Sequence, residues 1–334
     1  MKHFSLALHL YNTQYAQVMK IRLTLLSILF SIASIANAQI NTADSTVQII
    51  SYWDLNESHV YEITQITNSK ESDNTAKIDS ISMKAKVTVI DSTATSYTVT
   101  WEFSDYNVRE SAFSPQLEML LKARKIVYKT NELGVFEDLL NWEEVRDNLI
   151  ARTKESIAIV GGEYDSEEFR ENMDKVMSST LQTISTKEYI LNKEIEPVQL
   201  FHTFIGSAFK LGEIIESEIQ TPNNYFPDKP FNAQVTLYLD TIAAEDNYSV
   251  IRYDQMVDQE QLTTAARDFI AQMAESMGQE IDLDEAINER QLEHKSSVAA
   301  AIDNWGWPLY IESRTKVKFD SNEKTVIMTI QMIE

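Results

Sequence analysis

Residues 305–334 read WGWPLYIESRTKVKFDSNEKTVIMTIQMIE, and this stretch decides the fold class. After the turn signal at residues 305–308, apolar and polar side chains alternate from Leu309 to Phe319, although Ser313 and Thr315 fall on the apolar face. A four-residue turn, DSNE, leads into a second alternating run that reaches the chain end. A period of two predicts strands with one buried and one solvated face. Because two strands alone are barely stable in water, earlier strands must complete this sheet.

The same alternation recurs through the chain, so most of it is predicted to belong to one sheet. The other predicted strands are the runs 47–53, 59–67, 81–89, 96–103, 125–131, 233–239, 248–257 and 292–302. Two helical inserts interrupt them, at about 141–205 and about 259–289, with Asn141 and Asp258 as predicted N-caps. Short helices are also predicted at 116–123 and 282–289. The predicted fold is therefore α+β, a long antiparallel meander of about ten strands in a curved sheet, with both inserts packed on one face.

Composition excludes several classes of function. The chain has 334 residues and a formal net charge of -22, and its first 38 residues contain three basic residues and no acid. The rest is therefore still more acidic, and Coulomb repulsion opposes binding to nucleic acid or to an anionic membrane surface. Cysteine is absent. Disulfides, thiolate metal sites, cysteine nucleophiles and a lipoprotein anchor are thereby excluded.

Residues 19–38 have the pattern of a secretory signal peptide. A short basic start, Met19 to Arg22, precedes an apolar run of about 13 residues, too short to span a bilayer. Ala36 and Ala38 fit the small-x-small rule for cleavage before Gln39. We therefore expect Gln39–Glu334 to be a single α+β domain that is exported to the periplasm or beyond, soluble and without a membrane span. The sequence leaves open whether Met1 or Met19 is the true start.

The search for catalytic motifs is negative. The chain has no G-x-S-x-G elbow, no P-loop, no G-x-G-x-x-G and no H-E-x-x-H. His59, His202 and His294 lie far apart in the sequence, and a scattered histidine is usually structural. No cofactor and no metal is predicted. A catalytic site assembled from distant residues stays open as an alternative.

Aromatic and methionine side chains supply the candidate binding residues. Trp101 and Phe103 lie on the apolar face of a predicted strand, and Phe269 and Met273 lie on the apolar stripe of the second helical insert. Such side chains suit an adaptable apolar surface that faces a ligand. Filling of the core explains the same pattern, so both interpretations stay open.

Three segments carry a resemblance to a known group of proteins. They are Thr130–Phe136, Phe209–Glu213 and Gly306–Glu312. With the predicted meander, these segments resemble exported Gram-negative proteins of unknown function whose sheet is similar to the lipoprotein-carrier-like half-barrel. The resemblance implies a curved antiparallel sheet with helices against one face. The chain departs from it in its greater length and its large central helical insert, and no ligand motif carries over.

Three hypotheses about function follow. The first is an exported, non-enzymatic protein that holds a lipid-like molecule or a partner segment between the curved sheet and the helices. The second is a scaffold subunit that binds an envelope protein through a sheet edge or through the loop at Tyr225–Phe226. The third is an exported hydrolase. The oligomeric state is not predicted.

Overall fold

The computed structural model describes residues 39–70, 75–109, 124–161, 177–178, 180–223, 226, 228–276, 292–319 and 321–334. The predicted signal peptide, the predicted helices at 116–123 and 282–289, and Tyr225 lie outside these residues.

The described elements follow the predicted order, strands interrupted by two groups of helices. The strands are β1 Ile40–Asn41, β2 Thr46–Gln48, β3 Ser58–Lys70, β4 Ala76–Thr93, β5 Ser96–Arg109, β6 Arg124–Asn131, β7 Phe136–Leu139, β8 Ala208–Lys210, β9 Ile214–Thr221, β10 Phe231–Ala243, β11 Tyr248–Val257, β12 Leu292–Asp303, β13 Pro308–Phe319 and β14 Asn322–Met332. The helices are α1 Trp142–Gly161, α2 Lys187–Tyr189, α3 Glu196–Phe201 and α4 Gln259–Ser276, with a π-helical turn, Ile190–Glu194, between α2 and α3.

One large antiparallel sheet carries the fold. Its order is β7-β6-β5-β4-β3-β14-β13-β12-β11-β10-β9, while β1, β2 and β8 form a small separate sheet. Two meanders are joined where β3 pairs with β14, with Ile63 opposite Ile330. The C-terminal hairpin thus lies in the middle of the large sheet. The predicted α+β class and curved antiparallel sheet are confirmed.

Both helical groups pack on the same, concave face. Two residues of β10 show this. Leu239 belongs to the main core with Val198 and Phe201 of α3. Ala233 belongs to a smaller core under α4 with Leu262. Residues 233 and 239 share a parity and therefore a face. The main core lies at the end of the sheet where β3 begins, and the α4 core lies at the opposite end of β10–β12.

The chain before β3, residues 39–57, forms a strap across the first end of the sheet. It was predicted to contain a strand over 47–53, but only Thr46–Gln48 is one. The prediction is wrong beyond Gln48 because the next amides bond to separate segments. The N–H of Ile49 donates to the carbonyl of Ser207, that of Ser51 to Leu133, and that of Tyr52 to Trp305.

The three segments that carried the resemblance all contact the strap. Phe209 pairs with Val47, and Leu133 and Trp305 accept the bonds just described. Gly306 has φ +81°, and a Cβ there would lie 2.5 Å from the Ile50 carbonyl oxygen. Glycine is needed because the two backbones approach too closely for any side chain.

The two predicted helix caps differ in outcome. Asp258 caps α4 as expected, since its Oδ1 accepts from the Gln261 N–H at 2.8 Å. Asn141 does not cap α1 through its oxygen. Its Oδ1 accepts from the Val127 N–H at 2.8 Å instead, so it ties the start of α1 to β6.

Candidate functional site

The strap end of the concave face is filled by aromatic rings. Tyr61 and Trp101 lie parallel, with ring centroids 6.3 Å apart, and Phe201 of α3 stands edge-on to both, at 5.5 and 5.3 Å. Trp53 of the strap stacks on Trp307 at 4.5 Å. These rings pack against one another and belong to the main core.

A chain of hydrogen bonds fixes α3 to the sheet behind these rings. Nδ1 of His202 lies 2.8 Å from the Gly134 carbonyl oxygen and Nε2 lies 2.8 Å from the Tyr128 hydroxyl. Because a carbonyl only accepts, Nδ1 carries the proton and Nε2 accepts from Tyr128. The Tyr128 oxygen in turn accepts from Trp101 Nε1 at 3.2 Å. Each of these polar groups has a partner, so the chain is a structural anchor.

The titration of this anchor also argues against acid–base chemistry. Burial lowers the pKa of His202 to about 3, and the hydrogen bond to Gly134 offsets only part of that shift. Burial likewise raises the pKa of Tyr128 far above its ordinary value. Both groups are therefore neutral near pH 7 and enclosed by rings. A general acid or base needs access to a substrate and a pKa near the working pH.

Beyond the buried rows, the same face is less completely covered, and we call this part of its surface the groove. Its floor consists of two cross-strand rows that run from β4 to β11. One row is Asp79, Thr67, Val326, Thr315, Ser296 and Gln255, and the other is Ile81, Gln65, Met328, Ser313, Val298 and Tyr253. All of these residues except Met328 are half-buried, as many side chains of the opposite face are. In the adjacent row, by contrast, Ile63, Ile330 and Ile311 are at most 1% exposed. Six strands at about 4.8 Å spacing give a floor about 24 Å long.

The groove floor is amphipathic. Hydroxyl and amide side chains and the carboxylate of Asp79 lie beside Val326, Val298 and Met328. Ser296 Oγ lies 3.3 Å from Thr315 Oγ1. Helix α3 contacts β13 on one side of the floor, and α4 contacts β10 and β12 on the other. Beside the floor, at the end of β13 and β14 away from the strap, a depression of about 420 Å³ is lined by Ser69, Val317 and Lys324, among others. A smaller one of about 210 Å³ lies at the foot of α4.

A cationic cluster lies at the β4–β6 end of the groove. Glu194 Oε2 accepts from Arg124 Nη1 at 3.2 Å and from Arg152 Nη2 at 3.0 Å. The Arg124 guanidinium also lies over the Phe103 ring, 4.4 Å from its centroid. A register shift in the β4–β5 pairing brings Tyr106 into the same region. Burial raises the pKa of Tyr106, and the two guanidiniums act against that shift.

The four predicted binding residues fall into two groups. Trp101 and Phe103 are buried in the main core, with ring centroids 5.8 Å apart. Phe269 and Met273 lie on α4, which covers the other end of the sheet, and Phe269 is 37% exposed. The side chain of Met273 is outside the described part. A ligand role for the four stays a prediction, and the structure does not bring the two pairs together.

The sequence-based hypothesis placed a ligand between the sheet and the helices, but it named neither the residues of the groove floor nor the cationic cluster, although signals for both were present. Ser313 and Thr315 interrupt an apolar face, as noted above. Arg124 shares the inward parity of Ile126 and Tyr128 on β6. A charged or polar residue at an inward position of an alternating strand marks the place where the packed core ends.

The strap end also presents an exposed apolar surface. Tyr52, Leu55, Ile90 and Trp305 are between 44 and 61% exposed. The loops that form this end, residues 39–57, 90–96, 132–135, 243–248 and 303–308, contain eight acidic residues and no lysine or arginine. We refer to Tyr52, Leu55, Ile90 and Trp305 with this acidic surround as the end surface.

Comparison with known proteins identifies no family for this chain. No protein-family model matches the chain, and no curated sequence matches it. A structure titled "Lipid-protein interactions in lipovitellin" aligns with 84% of this chain at 8% identity and a TM-score of 0.36, and this chain spans a quarter of it. DynF from the dynemicin pathway of Micromonospora chersina aligns with 90% of this chain and 91% of its own at 7% identity, with a TM-score of 0.20. These scores are too low to support an argument about function. Within the described residues, no helix is long and apolar enough to cross a membrane, and no three acidic or histidine side chains are arranged to hold a metal ion.

Proposed function

We propose that the protein is a non-enzymatic binding protein that holds an elongated amphipathic ligand, such as a lipid-like molecule, in the groove. The observation that carries this proposal is the pair of half-buried rows between the two cores. A packed sheet face would be apolar throughout, whereas this floor offers apolar contact together with hydrogen-bonding side chains. Small-molecule sites have this composition, mostly apolar with a few polar groups that fix orientation.

The proposed setting is outside the cytoplasm. It rests on the signal-like residues 19–38, which are expected to be removed after Ala38. In that setting a ligand-binding protein would carry or shield an apolar molecule in water.

Native mass spectrometry of Gln39–Glu334, secreted through its own signal and gently purified, tests this function. We expect a discrete added mass that organic solvent removes. Ser296→Trp, which fills the floor, should abolish it. Ser297→Trp is the matched control, because Ser297 is the next residue of β12, equally half-buried, and lies on the convex face. Retention of the added mass by Ser296→Trp, or a wild-type protein without one, would contradict the proposal.

The end surface supports a second candidate, a subunit that binds a partner protein. Exposed tryptophan and tyrosine side chains with apolar neighbours are typical of interface centres. The acidic loops around them favour a partner segment that is basic and apolar.

A basic amphipathic peptide and its analogue with glutamate in place of lysine provide the test by fluorescence anisotropy. We expect the wild type to bind the basic peptide and not its glutamate analogue. The double variant Tyr52→Ser with Trp305→Ser should lose this binding. Ile78→Ser, at an exposed position at the opposite end of the sheet, should keep it. Equal binding of the two peptides would exclude a partner chosen by charge.

A further inference from the structure

Strand β9 forms one outer edge of the large sheet, and its backbone is regular along its whole length. It pairs with β10 over eight consecutive residues without a register shift. Five of these eight residues are exposed, among them Ile214 at 63% and Ile215 at 41%. Within the described ranges, no strand pairs with the outer side of β9. The N–H and C=O groups on that side are therefore available to a further strand.

The opposite edge of the same sheet is protected. Strand β7 has only four residues, and its pairing with β6 contains a register shift. Helix α2 also reaches this edge, because Lys187 Nζ donates to Asp138 Oδ1 of β7 at 2.7 Å. A short strand, an irregularity and a covering helix are the usual means of closing an edge. In the described part of the chain β9 has none of them, so its edge is suited to binding.

The side chains of β9 indicate which partner fits. Glu216 and Glu218 lie on the convex face, opposite Thr236 and Gln234 of β10. Together, β9 and β10 contain three acidic residues and no lysine or arginine. Opposite charges on facing strands stabilise the pairing and like charges destabilise it. The complementary strand therefore has basic residues at alternate positions, with apolar residues between them to cover Ile215 on the concave face.

The same charges disfavour a second copy of this chain at the edge. Two β9 strands paired antiparallel about Ser217 would place Glu216 of each copy opposite Glu218 of the other copy. Two like-charge pairs of this kind would oppose the association. A basic segment meets no such repulsion, and it is attracted by a chain whose formal net charge is -22.

We propose that the outer edge of β9 binds an extended partner segment in which basic and apolar residues alternate, and that this segment pairs with β9 as a further strand. Backbone hydrogen bonds hold the segment, and Glu216 and Glu218 select its basic residues. This inference goes beyond the groove function and does not depend on it, because the groove floor runs from β4 to β11 and β9 lies outside it.

The alternative is that Glu216 and Glu218 only keep other strands away, as charges on sheet edges often do. An edge of that kind would bind no strand. A binding edge would take up a strand of opposite charge and would need the backbone of that strand to do so. The experiment therefore varies the charge and the backbone of one peptide separately.

The probe is a capped, fluorescently labelled peptide in which valine and lysine alternate over eight residues, the length of β9. Its binding to Gln39–Glu334 is measured by fluorescence anisotropy. We expect no binding of an analogue with glutamate in place of lysine, because like charges then face each other. An analogue with N-methylated backbone amides should also fail to bind, since it cannot donate to β9. Hydrogen–deuterium exchange should show protection of β9 amides when the lysine peptide is bound.

A pair of charge-reversal variants locates the site. Glu216→Lys should weaken binding of the lysine peptide about 10-fold. Asp254→Lys is the matched control, because Asp254 is exposed on the same face and in the same cross-strand row, two strands inward from Glu216. It should change the affinity much less.

Several results would overturn the proposal. They are a wild type that does not bind the lysine peptide, equal binding of the N-methylated analogue, and equal losses in Glu216→Lys and Asp254→Lys. Protection confined to the loops of the end surface would also overturn it and would favour the second candidate function instead. A wild-type dimer in sedimentation velocity, with β9 amides protected in the absence of peptide, would assign the edge to a second copy.

Discussion

The His202 anchor predicts a specific loss of stability in acid. His202 has a pKa of about 3 in the folded protein against 6.5 when exposed, because burial disfavours the charged ring. The unfolded chain therefore binds a proton more readily, and the free energy of unfolding falls as the pH drops below 6.5. The loss continues until the pH reaches the folded pKa, and its full size is about 5 kcal/mol at 1.36 kcal/mol per pKa unit. Between pH 7 and pH 4.5 it amounts to about 3 kcal/mol.

The assay is urea unfolding followed by tryptophan fluorescence at several pH values, with His202→Gln as the reference. Glutamine keeps a donor and an acceptor but does not titrate. The half-buried acid Asp303, whose pKa is raised mainly by desolvation, affects both proteins alike. Its contribution therefore cancels in the difference between them.

The variant should be less stable than the wild type at pH 7, because the bonds to Tyr128 and Gly134 are imperfectly replaced. That gap should shrink or reverse by about 3 kcal/mol at pH 4.5. A gap that stays constant from pH 7 to pH 4.5 would show that His202 is solvated or already charged in the folded protein. The anchor described above would then be incorrect.

Three further predictions follow from the same structure. Gly306→Ala should destabilise the protein more than Gly212→Ala in thermal unfolding. Both glycines have positive φ, so the left-handed conformation costs about 1–2 kcal/mol at each, but only a side chain at Gly306 would meet the strap backbone. Equal losses of stability would contradict the close contact with the strap. Trp101→Ala should lower the free energy of unfolding by about 3–5 kcal/mol, whereas Phe269→Ala, at a partly exposed position, should lower it much less. Comparable losses in the two variants would place Phe269 in a packed core. When the full chain is expressed in a Gram-negative host, intact-mass measurement should show the processed protein Gln39–Glu334. Ala36→Arg should block this cleavage. A wild-type protein that stays uncleaved or cytoplasmic would contradict the expected export.

Local sequence patterns were sufficient for most of the sheet. The alternation of β13 and β14, and of β4 and β5, follows from the period of two that any half-buried strand imposes. The Asp258 cap and the turn at Gly212 also follow from local chemistry, since one side chain or one φ angle determines each.

Other features needed contacts between distant residues. Asn141 bonds to β6 because β6 lies beside it, and residues 49–53 leave the strand conformation because their partners are in three different loops. The segments 130–136, 209–213 and 306–312 carried the resemblance in the sequence. Their shared contacts with the strap arise only when the fold brings them to the same end of the sheet.

The sequence by itself determined which residues alternate, where the turns fall, the acidic charge and the absence of cysteine, because these depend on composition and on neighbours along the chain. Only the tertiary structure decided that β14 pairs with β3, which of the inward rows are packed and which line the groove, and that Arg124, Arg152 and Glu194 meet. The physical reason is that burial and charge pairing are set by what lies across the fold. Residues 70 positions apart, such as Arg124 and Glu194, carry no local signal that they will touch.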